Sequence, residues 1–381
     1  MPDKVLTENE IKELKAKVPC FRDIFPPDIS GVYDNDLVKL LGEANRAIGN
    51  LNSSEKIIPN PDLLVGPVLL KEALASSEIE GTRTTIRDVV QEEANIIIED
   101  EYERSQAREV VNHIKTTRFA LDNVEKLSLS SRLFKEMHRV LMYKVRGERK
   151  TVGDFRIGLN AVEREDKIVY IPPEATRVSG LFSDLEKYIN VPQLPQKYDP
   201  LLRAAITHYQ FEAIHPFADG NGRLGRVLIS LQLIQEQVLR YPVLYLSGFL
   251  LREKRKYDDC LLKVTTDGDW KGWIVFFLEG VKEQATRSEE IVDKIYQLYG
   301  NTREHAKSAI RSPNIDDLIT LIFTKKTITA NDVVENLGLS HTASMDLLRK
   351  LETIKILSVK PENQRNIHFL NEPLIHLLEE V

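Results

Sequence analysis

Two helical stretches meet at a proline-bounded, glycine-rich turn in residues 215–226, His-Pro-Phe-Ala-Asp-Gly-Asn-Gly-Arg-Leu-Gly-Arg, and no other stretch of the 381-residue chain narrows the fold as far. Upstream, residues 201–214 place Leu202, Ala205, Ile206, Tyr209 and Ala213 at helical spacing, which predicts a helix with one buried face. Pro216 stops it. A helical pattern resumes over residues 223–237, so Gly220, Asn221 and Gly222 fall where free N–H groups cluster at a new helix N-terminus, a ready anion site. Glycine there permits positive φ and a close approach of backbone to phosphate. Arg223 and Arg226, three apart, project from one helix face and suit further phosphate oxygens. Asp219 offers one hard oxygen, as Mg²⁺ uses when substrate phosphates complete its shell. His215, with an ordinary pKa near ~6.5, suits removal of a proton from an attacking hydroxyl. Asp-Gly and Asn-Gly are also common hairpin dipeptides, but the flanks here do not alternate as strands do. Base, acid, glycine nest and clamps within twelve residues point to a phosphate site.

The same string resembles the Fic motif, HPFx(D/E)GNGRxxR, and fills each specified position: His215, Pro216, Phe217, Asp219, Gly220, Asn221, Gly222, Arg223 and Arg226. That resemblance implies a transferase moving AMP from ATP onto a Ser, Thr or Tyr hydroxyl of a target protein. It makes His215 the general base, Asp219 the Mg²⁺ ligand and Gly220, Asn221 and Gly222 the anion hole; Arg223 belongs to the phosphate-binding set and Arg226 reaches the terminal phosphate. Relatives that transfer phosphate carry Lys at the second glycine of the motif, so Gly222 speaks for nucleotidyl transfer.

A second informative string, Ser76-Ser77-Glu78-Ile79-Glu80-Gly81, closes a helical stretch predicted over residues 64–80. By spacing, Ser77 and Glu80 suit a capping box, but the apolar pattern lies before them, and Gly81 fits better as a helix stop. Glu80 then sits at a helix C-terminus, where the macrodipole disfavours negative charge and an arginine would offset the cost. The string is similar to the Fic inhibitory motif, (S/T)xxxE(G/N), with Ser76, Glu80 and Gly81 at its positions. By that likeness Glu80 pairs with Arg226 and keeps it from the γ-phosphate. Removal of AMP from a modified protein, with Glu80 orienting a water, uses the same residues and stays open as an alternative.

The resemblance extends over most of the chain and implies a mainly α fold in three parts: an N-terminal helical region with the inhibitory helix at 1–100, a Fic helical core at 101–300 and a winged helix-turn-helix at 312–381. Core helices are expected over 105–121 and 130–141, with Ser130 as N-cap, and His113 and His138 read as packing or surface residues. Acidic residues 99–103 read as a solvated face. Two β-favouring runs, Ile157 to Val162 and Ile168 to Ile171, around a charged turn predict a hairpin. In Fic proteins a hairpin here is the flap that presents the target main chain. The aromatic group Trp270, Trp273, Phe276 and Phe277 reads as core packing, and residues 282–298 as a polar final helix leading to the C-terminal part.

Charge bears on partners. Residues 312–381 hold seven Lys or Arg against ten Asp or Glu, although Arg349, Lys350 and Arg365 offer a local basic edge. Phosphate neutralisation dominates DNA affinity, so a protein-contact role is favoured over a DNA-binding regulator with a nucleotide-sensing core. The whole chain carries −6 with 42% hydrophobic and 29% charged residues, a globular composition without a broad basic surface. No apolar run reaches the ~20 residues that span a bilayer, and two cysteines make no disulfide framework. The expected partners are ATP and a target protein, the chain itself included; a homo-oligomer is left open, nucleic acid and membrane are disfavoured, and the cytoplasm is the expected location.

Overall fold

A computed structural model describes residues 14–54, 60–145, 151–190, 198–359 and 367–380. Helices dominate: α1 (Asn35–Ser54), α2 (Asp62–Ile79), α3 (Ile86–Glu93), α4 (Glu101–Leu127), α5 (Ser131–Leu141), α6 (Ala175–Asn190), α7 (Pro200–Ile214), α8 (Asn221–Gln235), α9 (Leu246–Arg252), α10 (Lys254–Asp267) and α11 (Trp270–Ala309). A hairpin of β1 (Val162–Arg164) and β2 (Lys167–Tyr170) interrupts them between α5 and α6. Then come α12 (Ile315–Lys325), β3 (Thr327–Ile328), α13 (Ala330–Leu337), α14 (His341–Thr353), β4 (Ser358–Val359), β5 (Phe369–Leu370) and α15 (Glu372–Glu380).

Local signals set many ends. Asp100 caps α4 by accepting from Glu103 N at 2.9 Å, with Glu101 and Glu103 in the positive first turn, so the acidic run starts a helix besides being exposed. Ser130 accepts from Leu133 N, as expected for its cap. The capping box belongs to Thr85 and Asp88, not to Ser77 and Glu80. Helix α11 runs unbroken for 40 residues, joining the aromatic stretch and the polar one read apart in the sequence; no proline interrupts it, and Ile291, Val292 and Ile295 continue its buried stripe. Helices α6 and α15 had no counterpart in the sequence reading.

Two hydrophobic clusters form the interior. One gathers α1–α4 and α9–α15; the other is built on Phe134, Phe182, Phe211 and Phe217 from α5, α6 and the 211–217 stretch. Helices α7 and α8 serve both: Leu202 and Ile206 face the first cluster, Ile214, Leu224 and Leu228 the second. Thirteen of the fifteen α7 residues are buried, so the expectation of one buried face is corrected. A helix at a seam between two cores has no solvent side, and its periodicity fades.

The hairpin is antiparallel, with Glu163 opposite Ile168 and Arg164 opposite Lys167. Its two-residue turn, Glu165-Asp166, has positive φ at both positions, which matches the strand twist. Tyr170 Oη donates to Ala213 O at 2.8 Å, and Arg164 meets Asp259 of α10 at 2.5 Å, so the hairpin lies over the end of α7.

In the C-terminal part, α12–α14 pack with an antiparallel sheet in the order β3-β5-β4, and Gly338 turns the chain between α13 and α14 at φ 67°. The expected wing tip at 361–366, and Arg365 with it, lies outside the described residues. Arg349 pairs with Glu352 and Lys350 with Asp346, both at 2.7 Å and both on the surface. This part docks on the N-terminal helices: Lys71 Nζ donates to Leu378 O at 2.9 Å, Arg87 clasps Glu372 through both terminal nitrogens, and buried Lys326 meets Glu93 at 3.1 Å. Among the described residues no helix is long and apolar enough to cross a membrane.

Candidate nucleotide site

The loop between α7 and α8 is held from inside. Asn221 grips Phe217 with both side-chain groups, Oδ1 accepting from Phe217 N at 2.8 Å and Nδ2 donating to Phe217 O at 2.9 Å. Phe217 is fully buried and stacks on His138 at 4.2 Å. Gly153 N donates to His138 Nδ1, so the proton sits on Nε2, which donates to Asp219 O at 3.2 Å. Burial holds His138 near a pKa of about 4, consistent with that neutral tautomer. A residue read as packing or surface therefore clamps the acidic corner of the loop.

Arg156 is the other clamp. It is buried, and its donors go to four carbonyls: Nε to His215 O at 2.8 Å, Nη1 to Gly158 O at 2.9 Å, and Nη2 to Pro173 O at 2.5 Å and Ile214 O at 3.3 Å. A cation is well placed there, because the α7 C-terminus carries the negative end of the helix dipole. Asn160, just before β1, reaches Phe217 O and Ala218 O.

His215 is the C-cap of α7 at φ 50°, ψ 62°, a left-handed conformation that a non-glycine residue adopts only where its surroundings hold it. Its Nδ1 lies 3.3 Å from Glu212 O; a carbonyl only accepts, so Nδ1 carries the proton and Nε2 keeps a free lone pair. Burial, and then the nearby Arg156 charge, lower its pKa to about 4, which leaves it neutral at pH 7.

Helix α8 opens at Gly220, whose φ of 76° suits glycine, and no side chain caps it. Asp219 Oδ1 accepts from Gly220 N at 2.6 Å, and the side chain is 58% exposed. His208 supports α8 from below, with Nδ1 toward Gly225 O and Nε2 toward Tyr257 Oη.

The end of α2 closes over this nest. Helix α2 stops at Ile79, leaving Glu80 as C-cap and Gly81 at φ 96°. Arg226, 3% exposed, donates from Nε to Ser76 Oγ at 2.8 Å, and from Nη2 to Ser76 O at 2.8 Å and Glu80 Oε1 at 2.6 Å. A Cβ on Gly222 would strike Glu80 Oε1, so the carboxylate lies directly against the α8 N-terminus. Burial works to raise the Glu80 carboxyl, but the Arg226 guanidinium overrides it and keeps Glu80 below the usual carboxylate range. Lys254 of α10 holds the same turn through Ile79 O.

Between this turn, the hairpin and α10 lies a cavity of about 200 Å³, lined by Glu80, Glu212, His215, Gly222, Arg226 and Lys254 among others. Burial pushes the Glu212 carboxyl up to about 8, so it adds little negative charge to the cavity at pH 7. The structure thus brings His215, Asp219, Gly220, Asn221, Gly222, Arg223, Arg226, Ser76, Glu80 and Gly81 into one neighbourhood. Sequence reasoning assigned no part in it to His138, Arg156, Asn160, His208 or Lys254, because each acts through contacts distant in the chain.

The sequence model described as Fic/DOC family N-terminal matches residues 38–122, and that described as Fic/DOC family matches residues 128–233. Curated relatives include the "Protein adenylyltransferase Fic" of Aedes aegypti, 31% identical over 110 residues, which is 29% of this chain and 20% of that protein. The one of Drosophila erecta is 28% identical over 158 residues, 41% of this chain and 28% of that protein. The chain therefore spans a fifth to somewhat over a quarter of these relatives. Among solved structures, a Fic family protein from Desulfovibrio desulfuricans superposes with a TM-score of 0.58 at 21% identity, covering 89% of this chain and 96% of that one. A Fic domain containing signaling protein from Bacteroides thetaiotaomicron gives 0.52 at 18% identity, covering 66% and 97%.

Proposed function

For a chain that belongs to the Fic/DOC family, we propose protein adenylylation: transfer of AMP from ATP to a hydroxyl of a target protein, restrained by Glu80. The observation that carries this is the neutral His215 with its Nε2 lone pair free, on the rim of a cavity that also holds the α8 N-terminus and Arg226. In the reaction the hydroxyl oxygen bonds to the α-phosphorus, its proton passes to His215 Nε2, and the bond from that phosphorus to the bridging oxygen breaks. Pyrophosphate leaves with the electron pair. The N–H groups at Asn221 and Gly222 and the guanidinium groups of Arg223 and Arg226 face the charge that grows on phosphate oxygens. The hairpin presents the target segment through its main chain.

Asp219 suits Mg²⁺ when ATP supplies the remaining oxygens: one of its oxygens is engaged by Gly220 N, its side chain is open to solvent, and no group of three ligating side chains lies among the described residues. The ion would neutralise phosphate charge, while Asp219 orients it. Glu80 stands where an anion would sit and occupies Arg226, so release of the α2 turn is the condition for productive ATP binding. The reverse reading, removal of AMP, draws support from Glu80 being 40% exposed beside His215, where it can hold a water. We assign residues 1–100, 101–300 and 312–381 to the restraint, the core and a protein-contact unit. Pairing of Arg349 and Lys350 with carboxylates weakens the DNA-regulator reading.

The test is the intact mass of wild type, Glu80→Gly and Glu80→Gly/His215→Ala after incubation with ATP and Mg²⁺. Covalent AMP on the single variant alone supports transfer. No adduct on any protein, joined to release of AMP from a pre-modified substrate by wild type and not by Glu80→Gly, would replace transfer by removal.

A further inference from the structure

Glu109, on α4, touches both sides of the candidate site with one oxygen. Thr82 Oγ1 donates to Glu109 Oε2 at 2.8 Å, and Arg223 Nη1 lies 3.5 Å from the same atom. Thr82 is buried two residues beyond Glu80, Arg223 is 4% exposed and Glu109 16%, so this three-way contact is partly withdrawn from water, where charge-assisted bonds keep more of their strength. The Arg223 guanidinium is otherwise sparsely held. Asp219 Oδ1 is 3.8 Å from Nη2, and Nε is buried with no hydrogen-bond partner. One turn earlier on α4, Gln106 Oε1 accepts from Arg83 N at 2.9 Å, so α4 grips the α2 turn twice.

We propose that Glu109 is a positioning residue linking the α2 turn to Arg223, so that the turn governs both arginines of the motif: Arg226 through Glu80, and Arg223 through Thr82 and Glu109. Glu109 tethers Arg223 to a rigid helix. Thr82 ties the turn to that tether, and loss of the Thr82 bond frees the turn without removing the tether. Loss of the Glu109 charge has the opposite cost, since Arg223 then lacks a fixed partner. This inference rests on the transfer reading and adds a second anchor to its restraint.

The test uses the full chain with Thr82→Val, Thr82→Ser and Glu109→Gln, each in wild type and in Glu80→Gly, with two readouts. The first is hydrogen exchange of the amides at 81–83. Thr82→Val should speed it about tenfold, the scale of one hydrogen bond to a carboxylate in an opening equilibrium, and Thr82→Ser should restore it. The second is AMP incorporation. Thr82→Val should raise it about tenfold in wild type and by clearly less in Glu80→Gly, where Arg226 is already free of its Glu80 partner. Glu109→Gln in Glu80→Gly should raise the KM for ATP several-fold with little change in kcat. Unchanged exchange in Thr82→Val, or equal gains in both backgrounds, overturns the link. If exchange responds and Ser rescues it while Glu80→Gly makes no adduct, the link stands and the transfer reading fails.

Discussion

Replacing Arg156 by Met removes a guanidinium that satisfies four carbonyls around the motif loop. The bonds to Pro173 O and Ile214 O are buried, and those to His215 O and Gly158 O are partly open to solvent. An orphaned buried acceptor costs about 1–3 kcal/mol, whereas an acceptor that can recruit water loses about 0.5–1.5 kcal/mol. Two of each place the loss at about 6 kcal/mol at the middle of these ranges, before any gain from removing a buried charge that itself costs desolvation. That desolvation is visible in the side chain: burial lowers its pKa to about 10, yet it remains charged at pH 7. Arg156→Lys keeps the charge but not the fork, reaches fewer of the four carbonyls, and should lose about half as much. The assay is urea unfolding followed by the fluorescence of buried Trp270 and Trp273, comparing midpoints at constant slope. A Met variant within about 1 kcal/mol of wild type, or a Lys variant as stable as wild type, refutes the claim that geometry rather than charge alone fixes this loop.

Acid should destabilise the fold early. His113 and His208 are lowered to about 3, and His138 and His215 to about 4, burial being the leading cause in each, so the unfolded chain binds protons that the folded one refuses. Their contribution is fully present above the ordinary value near ~6.5 and is lost as pH falls from there toward 4 for His138 and His215 and toward 3 for His113 and His208, at up to about 1.4 kcal/mol per pH unit for each. Urea midpoints at pH 7.5, 6.5 and 5.5 check this, and flat midpoints would contradict it. For Asp219→Asn, AMP incorporation by the Glu80→Gly protein should fall at least tenfold and recover in part at raised Mg²⁺, with the urea midpoint within about 0.5 kcal/mol because the side chain is exposed. Incorporation equal to the parent's would remove Asp219 from the metal role.

Legibility in the sequence followed the range of the interactions. The cap at Ser130 and the hairpin around the charged turn at Glu165-Asp166 are local, and each is present in the structure. The seam helices were harder. Residues 201–214 look amphipathic in one dimension, but their second face meets a second hydrophobic cluster that only folding creates. Helix α11 looked like two pieces because its composition changes from aromatic to charged where its burial changes, while its backbone continues.

The motif by itself determined the chemistry on offer. Histidine, carboxylate, glycine nest and arginines lie within twelve residues, close enough that one turn and one helix N-terminus bring them together. Tertiary structure decided their state. Ser76 and Glu80 reach Arg226 across about 150 residues of chain, His138 holds Asp219 across 81, and Arg156 holds His215 across 59. Such pairings have no spacing rule: their partners meet because helices pack around two cores, and burial then sets which hydrogen bonds must be made and which side chains stay neutral.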